Sequence, residues 1–372
     1  MKRKHILILI LSSLVIKVLY VFIVLAFSKS NSIEQLSFLE VFFRNDSGWY
    51  RSVAEDGYDI IKNIDDLGKI YPDYWKQSNW AFFPAYPLSI KLLMSVFSIS
   101  YLQSAFVFSL ITSTACFIAF YKFTLIFLKD VDKAFWIALL FIVSPFHYHY
   151  SMFYTEAMFL LMLLLAFIGI AEKKLWVSVL ATSVLVLVRP NGLVCLLPIW
   201  LYGLEQSGFS FKSIQWVSLI KRSLFLLPAV LVFGGFLLYQ HFETGYFNAF
   251  SIAQTGWGKK TTFPLLSLFR NGDFTNTFNS IYVCLTILFA IYTIKKLPLS
   301  LNVFIWLNLL LPLTAGSVIS MTRYITVLFP LFILIAAMGL KLPKSKYYLY
   351  AVCLGLQLYL LQYWAVSHSF SY

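Results

Sequence analysis

The chain has 372 residues, of which 60% are hydrophobic and only 12% charged. That is too little polar surface to cover a soluble globule of this length, so the fold class is an all-α polytopic membrane protein. The net charge of +13 does not indicate nucleic acid as a partner, because the lysines and arginines are scattered between apolar runs and form no basic stripe; positive-inside loops explain them.

Taken in order, Met1-Lys2-Arg3-Lys4 leads into an apolar run at 6–27. The run is long for a signal peptide and lacks a convincing small-residue cleavage pattern, so it reads as a retained first helix leaving the cytoplasm. Further runs at 105–128, 153–171, 224–240 and 324–340 approach the roughly 20 apolar residues that span a hydrocarbon core. With the basic N-terminus inside, residues 28–103 form a first extracytoplasmic loop with interfacial helices, and 243–279 form a second. Lys129 with Lys133, Lys173 with Lys174, Lys212 with Lys221 and Arg222, Lys295 with Lys296, and Lys341 with Lys344 and Lys346 then all fall in the cytoplasm. This regularity requires 82–99 to lie along the outer interface and not cross. The count is about eleven spans in a single domain covering 1–372.

Segments 134–143, before Ser144-Pro145, 175–188, before Arg189-Pro190, and 193–204 are all short. Broken helices at membrane depth are tolerated where protein or a wet cavity surrounds them, so these segments are expected to wall an outward-opening cavity. Cys116, Cys195, Cys284 and Cys353 are far apart, without metal-ligand spacing, and read as packed thiols. No glycine-rich phosphate loop, Ser-His-Asp set or His/Cys cluster is present, so no cofactor or metal is expected.

The polar residues that remain are few. If Asp46 begins a short helix ending at Gly57, then Asp46, Trp49, Tyr50 and Val53 share one face, a carboxylate beside two rings that suits a sugar. Helix capping is the plain alternative for Asp46. Arg51 and Glu55 lie four apart on another face as a surface ion pair, and Glu55 with Asp56 lacks the further ligands of a metal site. Asn79-Trp80-Ala81-Phe82-Phe83-Pro84-Ala85-Tyr86-Pro87 either stacks on a sugar or forms an interfacial aromatic belt. Glu156, after Tyr154 and Thr155, falls near or inside the membrane, where an ionisable group points to function; a carboxylate at a helix start is the milder reading. Arg189 and Arg323 stand at outward-facing ends, where an arginine fork can hold a lipid phosphate or simply snorkel.

Asn45-Asp46-Ser47-Gly48-Trp49-Tyr50, Val53-Ala54-Glu55-Asp56-Gly57-Tyr58, the Ala81 to Pro87 run, Tyr154-Thr155-Glu156, Arg189-Pro190-Asn191-Gly192, and Arg323-Tyr324 with Phe329-Pro330-Leu331-Phe332 follow one another in an order that resembles the PIG-V family of mannosyltransferases. These are integral-membrane glycosyltransferases of the GT-C type, whose eukaryotic members add the second mannose of glycosylphosphatidylinositol anchors from dolichyl-phosphate mannose. The family's aspartate in the first luminal loop maps onto Asp46, although Arg44-Asn45 displaces the aromatic residue that precedes it. The resemblance implies Asp46 as catalytic base in an inverting transfer of a mannosyl or other hexosyl residue. It implies substrate binding by Trp49, Tyr50, Glu55, Tyr58, Phe83, Tyr86, Tyr154, Glu156, Arg189, Asn191, Arg323 and Tyr324. The implied partners are a polyprenyl-phosphate or dolichyl-phosphate sugar donor, a glycolipid or glycan acceptor, membrane lipids and a small membrane partner subunit. The site would face the extracytoplasmic or luminal side of a plasma membrane in a prokaryote, or of the endoplasmic reticulum in a eukaryote. The competing class is a transporter or flippase for a lipid-linked saccharide, which would be expected to show paired halves; no internal repeat is visible.

Overall fold

The structure is a computed structural model that describes residues 1–30, 36–70, 75–209, 215–269, 272–340 and 345–368. Lys212, Arg270, Lys341 and Lys344, which belong to the loop assignments above, lie outside the described residues. In chain order the helices are α1 (Arg3–Ser30), α2 (Ser47–Glu55), α3 (Ala85–Phe97), α4 (Tyr101–Leu128), α5 (Val131–Val143), α6 (Glu156–Ala171), α7 (Leu175–Leu185), α8 (Asn191–Val194) and α9 (Leu196–Gln206). They continue with α10 (Trp216–Ser223), α11 (Leu227–Thr244), α12 (Ala249–Ala253), α13 (Phe274–Thr293), α14 (Leu299–Leu313), α15 (Met321–Thr326), α16 (Phe329–Gly339) and α17 (Ser345–Ala365). A small antiparallel hairpin, β1 (Lys69–Ile70) with β2 (Trp75–Lys76), pairs Lys69 with Lys76 and Ile70 with Trp75.

Among the described residues, four helical stretches are long and apolar enough to cross a membrane: Arg3–Lys29, Tyr101–Leu128, Trp216–Thr244 and Phe274–Lys296. A fifth is the bent pair of α5 with the 3-10 segment Pro145–Ser151, which turns by 82°. Ser144-Pro145 causes that bend, because proline disfavours helical backbone in the residue before it. The other apolar helices run from 11 residues in α7 and α16 to 16 in α6, so helix length alone does not reach eleven spans. Several expected runs are also interrupted. The run at 153–171 becomes helical only at Glu156, 193–204 is divided at Cys195, and 324–340 is divided between α15 and α16. In the last case Pro330 sits in the first turn of α16, where its missing N–H is harmless, and so marks a new helix start.

Polar contacts fix how the first and fourth helices run. His5 bonds the Tyr121 hydroxyl at 2.9 Å, Ser13 bonds Thr114 at 2.9 Å, and Lys17 donates to Ser109 at 3.4 Å. As one number rises the other falls, so α1 and α4 are antiparallel. Lys2 meets Asp132 at 2.6 Å, and Lys122 and Lys174 share Glu172 at 2.7 and 3.1 Å. The basic N-terminus and the turns after α4 and α6 are therefore gathered at one end of the bundle. The opposite end carries α2 and the start of α4, where Tyr101 donates to the Ser47 carbonyl at 3.4 Å.

Helix α6 is buried along nearly its whole length, as a helix apolar on every side should be. Phe167 packs edge-on to Tyr202 and Phe329, and Phe120 stacks on Phe141 at 4.2 Å between ring centres. By contrast α1, α11 and α13 expose Leu11, Phe22, Leu231, Leu238, Leu285 and Leu288. Such broad apolar faces suit lipid tails better than water. Helix α3 buries Tyr86, Pro87 and Ile90 but exposes Leu88, Leu92 and Val96.

Candidate active site

The start of α2 is clamped from below. Buried Ser47 donates through Oγ to the Phe153 carbonyl at 3.2 Å, and Asn45 adopts φ +48° to turn the chain into the helix. Asp46 occupies the N-cap position, yet its own backbone is already helical, with φ −56° and ψ −21°, and its side chain makes no capping bond. A capping side chain folds back onto the N–H of the second or third helical residue. The Asp46 carboxylate turns away instead and accepts from Arg323 Nη1 through Oδ2 at 2.8 Å. Capping therefore does not explain this aspartate.

Arg323, with only 9% of its side chain exposed, also places Nε 3.5 Å from Glu156 Oε1. The same oxygen accepts from Arg189 Nη2 at 2.8 Å, and Arg189 donates again to the Thr155 hydroxyl. Asp46, Arg323, Glu156 and Arg189 thus form an alternating row. Burying any one of these charges alone would cost several kcal/mol, which the row offsets by giving each an opposite neighbour. Aromatic faces add to this: the Arg323 guanidinium lies 4.9 Å from the Tyr154 ring centre and 5.3 Å from that of Tyr324, and Arg189 lies 4.9 Å from Phe159. Cation–π contacts of this kind favour arginine over lysine.

A cavity of about 1030 Å³ opens beside this row. Of the residues singled out from the sequence, Asp46, Trp49, Tyr50, Phe83, Tyr154, Glu156, Arg189, Asn191, Arg323 and Tyr324 line it. Trp49 stacks on Phe82 at 5.8 Å with an 11° angle, and Trp257 stands edge-on to both at 5.3 and 5.6 Å. Asn191 donates to Asn308 on α14 at 3.4 Å, which ties α8 to the wall. Gly192 beside it has no room for a side chain, since a Cβ there would strike the Leu185 carbonyl.

Glu55, Tyr58 and Tyr86 do not line the cavity. Glu55 pairs with Arg51 at 2.7 Å on the outer face of α2, as the spacing of four predicts. Tyr58 stacks on Trp80 at 4.2 Å and donates to the Phe82 carbonyl at 2.8 Å, so its polar and apolar parts are both engaged. Tyr86 is buried behind Tyr50, with ring centres 4.9 Å apart. Tyr86 and Tyr58 thus back lining residues, Tyr50 and Phe82, while Glu55 does not.

Among the lining residues not selected from the sequence as site residues are Trp75, Trp257, Lys259 and Lys260. They reach the cavity because the second loop docks on the first: Gly68 and Gly256 meet Ala253 and the Lys76 carbonyl so closely that neither could carry a Cβ without backbone movement. The glycines were the visible signal, but a lone glycine in a loop does not name its neighbour. Among the described residues no group of three or more His, Cys, Asp or Glu side chains could hold a metal ion.

No protein-family model matches the chain. Over 174 residues, 44% of this chain, it is 30% identical to human GPI alpha-1,6-mannosyltransferase 2. The match covers 34% of that protein, so the chain spans about a third of the length of the curated relative it matches. The relationship to a mannosyltransferase is a distant one, and it accords with the resemblance read from the motifs.

Proposed function

We propose that the chain is a membrane glycosyltransferase of the GT-C type that moves a mannosyl or other hexosyl residue from a polyprenyl-phosphate or dolichyl-phosphate sugar to a lipid-linked or cell-envelope glycan. The observation that carries this reading is the Asp46 carboxylate, free of capping duty, held by a buried arginine at the edge of an aromatic-walled cavity. Transfer needs a group that takes the proton from an acceptor hydroxyl as its oxygen bonds to the anomeric carbon. With Oδ2 engaged by Arg323, Oδ1 is the oxygen that accepts that proton. A carboxylate suffices as the base because the hydroxyl becomes strongly acidic only as the new bond forms. The bond from the anomeric carbon to phosphate breaks on the opposite face, so configuration inverts and the electron pair stays with the lipid phosphate.

The rings of Trp49, Phe82 and Trp257 offer flat apolar faces of the kind that sugar C–H faces stack against, and apolar helices beside the cavity suit a prenyl chain. In this reading the cavity end faces outward, opposite the gathered lysines, and the shorter apolar helices complete about eleven spans. The test is incubation of the purified chain with labelled polyprenyl-phosphate mannose and a membrane-lipid extract. Transfer of label to a lipid or glycan is expected; recovery of all label as intact donor, with folded protein and every candidate acceptor fraction supplied, would oppose the proposal.

A further inference from the structure

The charges lining the cavity do not balance. Among the described residues its acidic lining is Asp46 and Glu156, and its basic lining is Arg189, Arg323, Lys259 and Lys260. Both arginines are paired with the two carboxylates. Lys259 donates at 2.6 Å to Gln254, a neutral amide, and neither Lys259 nor Lys260 has an acidic partner among the described residues. The surplus is two positive charges, both from the second loop.

These lysines are held in place by backbone. The Lys260 N–H donates to the Ala315 carbonyl at 3.3 Å and the Thr262 N–H to the Thr314 carbonyl at 2.8 Å. Ser267 Oγ donates to the Leu313 carbonyl at 2.7 Å. The last turn of α14 thereby fixes the loop on the cavity wall, and Gln254, which receives Lys259, itself donates to the Ala81 carbonyl at 3.2 Å. A surplus of fixed positive charge in a partly enclosed cavity attracts an anion more strongly than the same charges would in open water.

We infer that Lys259 and Lys260 form the phosphate clamp of this site, matched to the leaving group more than to the donor, while Arg323 and Arg189 serve the carboxylates. The inference rests on the transferase reading. A polyprenyl-phosphate sugar is a phosphodiester with one negative charge. When the bond between the anomeric carbon and the phosphate oxygen breaks, that oxygen keeps the electron pair and the product is a phosphate monoester. Its second ionisation lies near pH 6, so it carries about −1.5 to −2 at pH 7. Two lysines therefore hold the product phosphate more tightly than the donor, and charge that grows along the reaction meets cations already in position.

The experiment measures equilibrium binding of labelled polyprenyl phosphate, and of the uncharged polyprenol of equal length, to the full chain in lipid nanodiscs. For wild type the phosphate should bind at least about tenfold more tightly per lysine, since charge-assisted hydrogen bonds are the strong ones. That preference should grow as pH rises through about 6. The pair Lys259→Gln and Lys260→Gln should lose most of the preference, and the pair Lys259→Arg and Lys260→Arg should keep it. A folded glutamine pair that retains the full preference overturns the inference, as does a wild type without one. If the glutamine pair does not fold, each single substitution is measured in its place, and full preference in both gives the same negative answer. Binding needs no turnover, so the two readings fail separately: phosphate held through the lysines without sugar transfer refutes the transferase, whereas transfer with lysine-independent phosphate binding refutes the clamp.

Discussion

Arg323 does something at the level of single residues that lysine cannot reproduce. Its planar fork presents Nη1 to Asp46 and Nε towards Glu156, and its faces meet Tyr154 and Tyr324. A lysine supplies one compact charge that can favour one carboxylate at a time. We therefore expect Arg323→Lys to lower kcat by about tenfold or more through misplacement of Asp46, with the KM for donor changed less than about threefold, because the phosphate is assigned to the second-loop lysines. Steady-state rates over a range of donor concentrations check this. A raised donor KM with unchanged kcat would return Arg323 to the phosphate. The individual chemistry of these residues was legible in the sequence, since each is a charge where charges are costly. Their pairing was not: Asp46 and Arg323 are 277 residues apart and Glu156 and Arg189 are 33 apart, and no local periodicity encodes such partners. From spacing alone capping was the commoner reading of Asp46 with catalysis kept beside it, and the direction of its carboxylate is what removes capping.

Helix α2 was legible to within two residues at the element scale, because its apolar residues recur at helical spacing and Gly57 follows its end. The long apolar helices were legible for the same reason. The breaks at 153–155, Cys195 and 327–328 were less so, because an apolar run reads alike whether or not its backbone is interrupted. The docking of the second loop on the hairpin was hidden altogether, yet it delivers Trp257, Lys259 and Lys260 to the cavity. It depends on Gly256, where a methyl group would meet the Lys76 carbonyl and lie 3.1 Å from the Gln77 Cα. Gly256→Ala should push the loop away, costing about 1–3 kcal/mol in overpacking and lowering transfer with little effect on the helical bundle. Circular dichroism together with turnover measures both; full activity with an unchanged melting curve would show that the loop does not need this close approach.

On the scale of the whole molecule, composition alone dictated a helical membrane protein, and the scatter of lysines suggested which ends face the cytoplasm. The antiparallel contacts of α1 with α4 place Lys2 and Asp132 at one end and the cavity at the other, so orientation and site placement stand or fall together. Ile60, 87% exposed in the first loop, and Lys295, exposed after α13, make suitable reporters. With Cys116, Cys195, Cys284 and Cys353 replaced, Ile60→Cys should react with an impermeant thiol reagent in intact cells, and Lys295→Cys only after permeabilisation. Equal labelling in intact cells would reverse or dissolve the outward placement of the cavity. The chemistry itself is tested most directly by Asp46→Asn. Asparagine preserves the shape beside Arg323 but removes the base, while Glu156 remains to share the buried guanidinium charge. The measurement is the initial rate of sugar transfer from labelled polyprenyl-phosphate mannose by wild type and variant, each with its melting temperature. We expect the rate to fall by about 10²–10⁴-fold in a protein that still folds; a folded variant with near wild-type turnover would contradict Asp46 as the base.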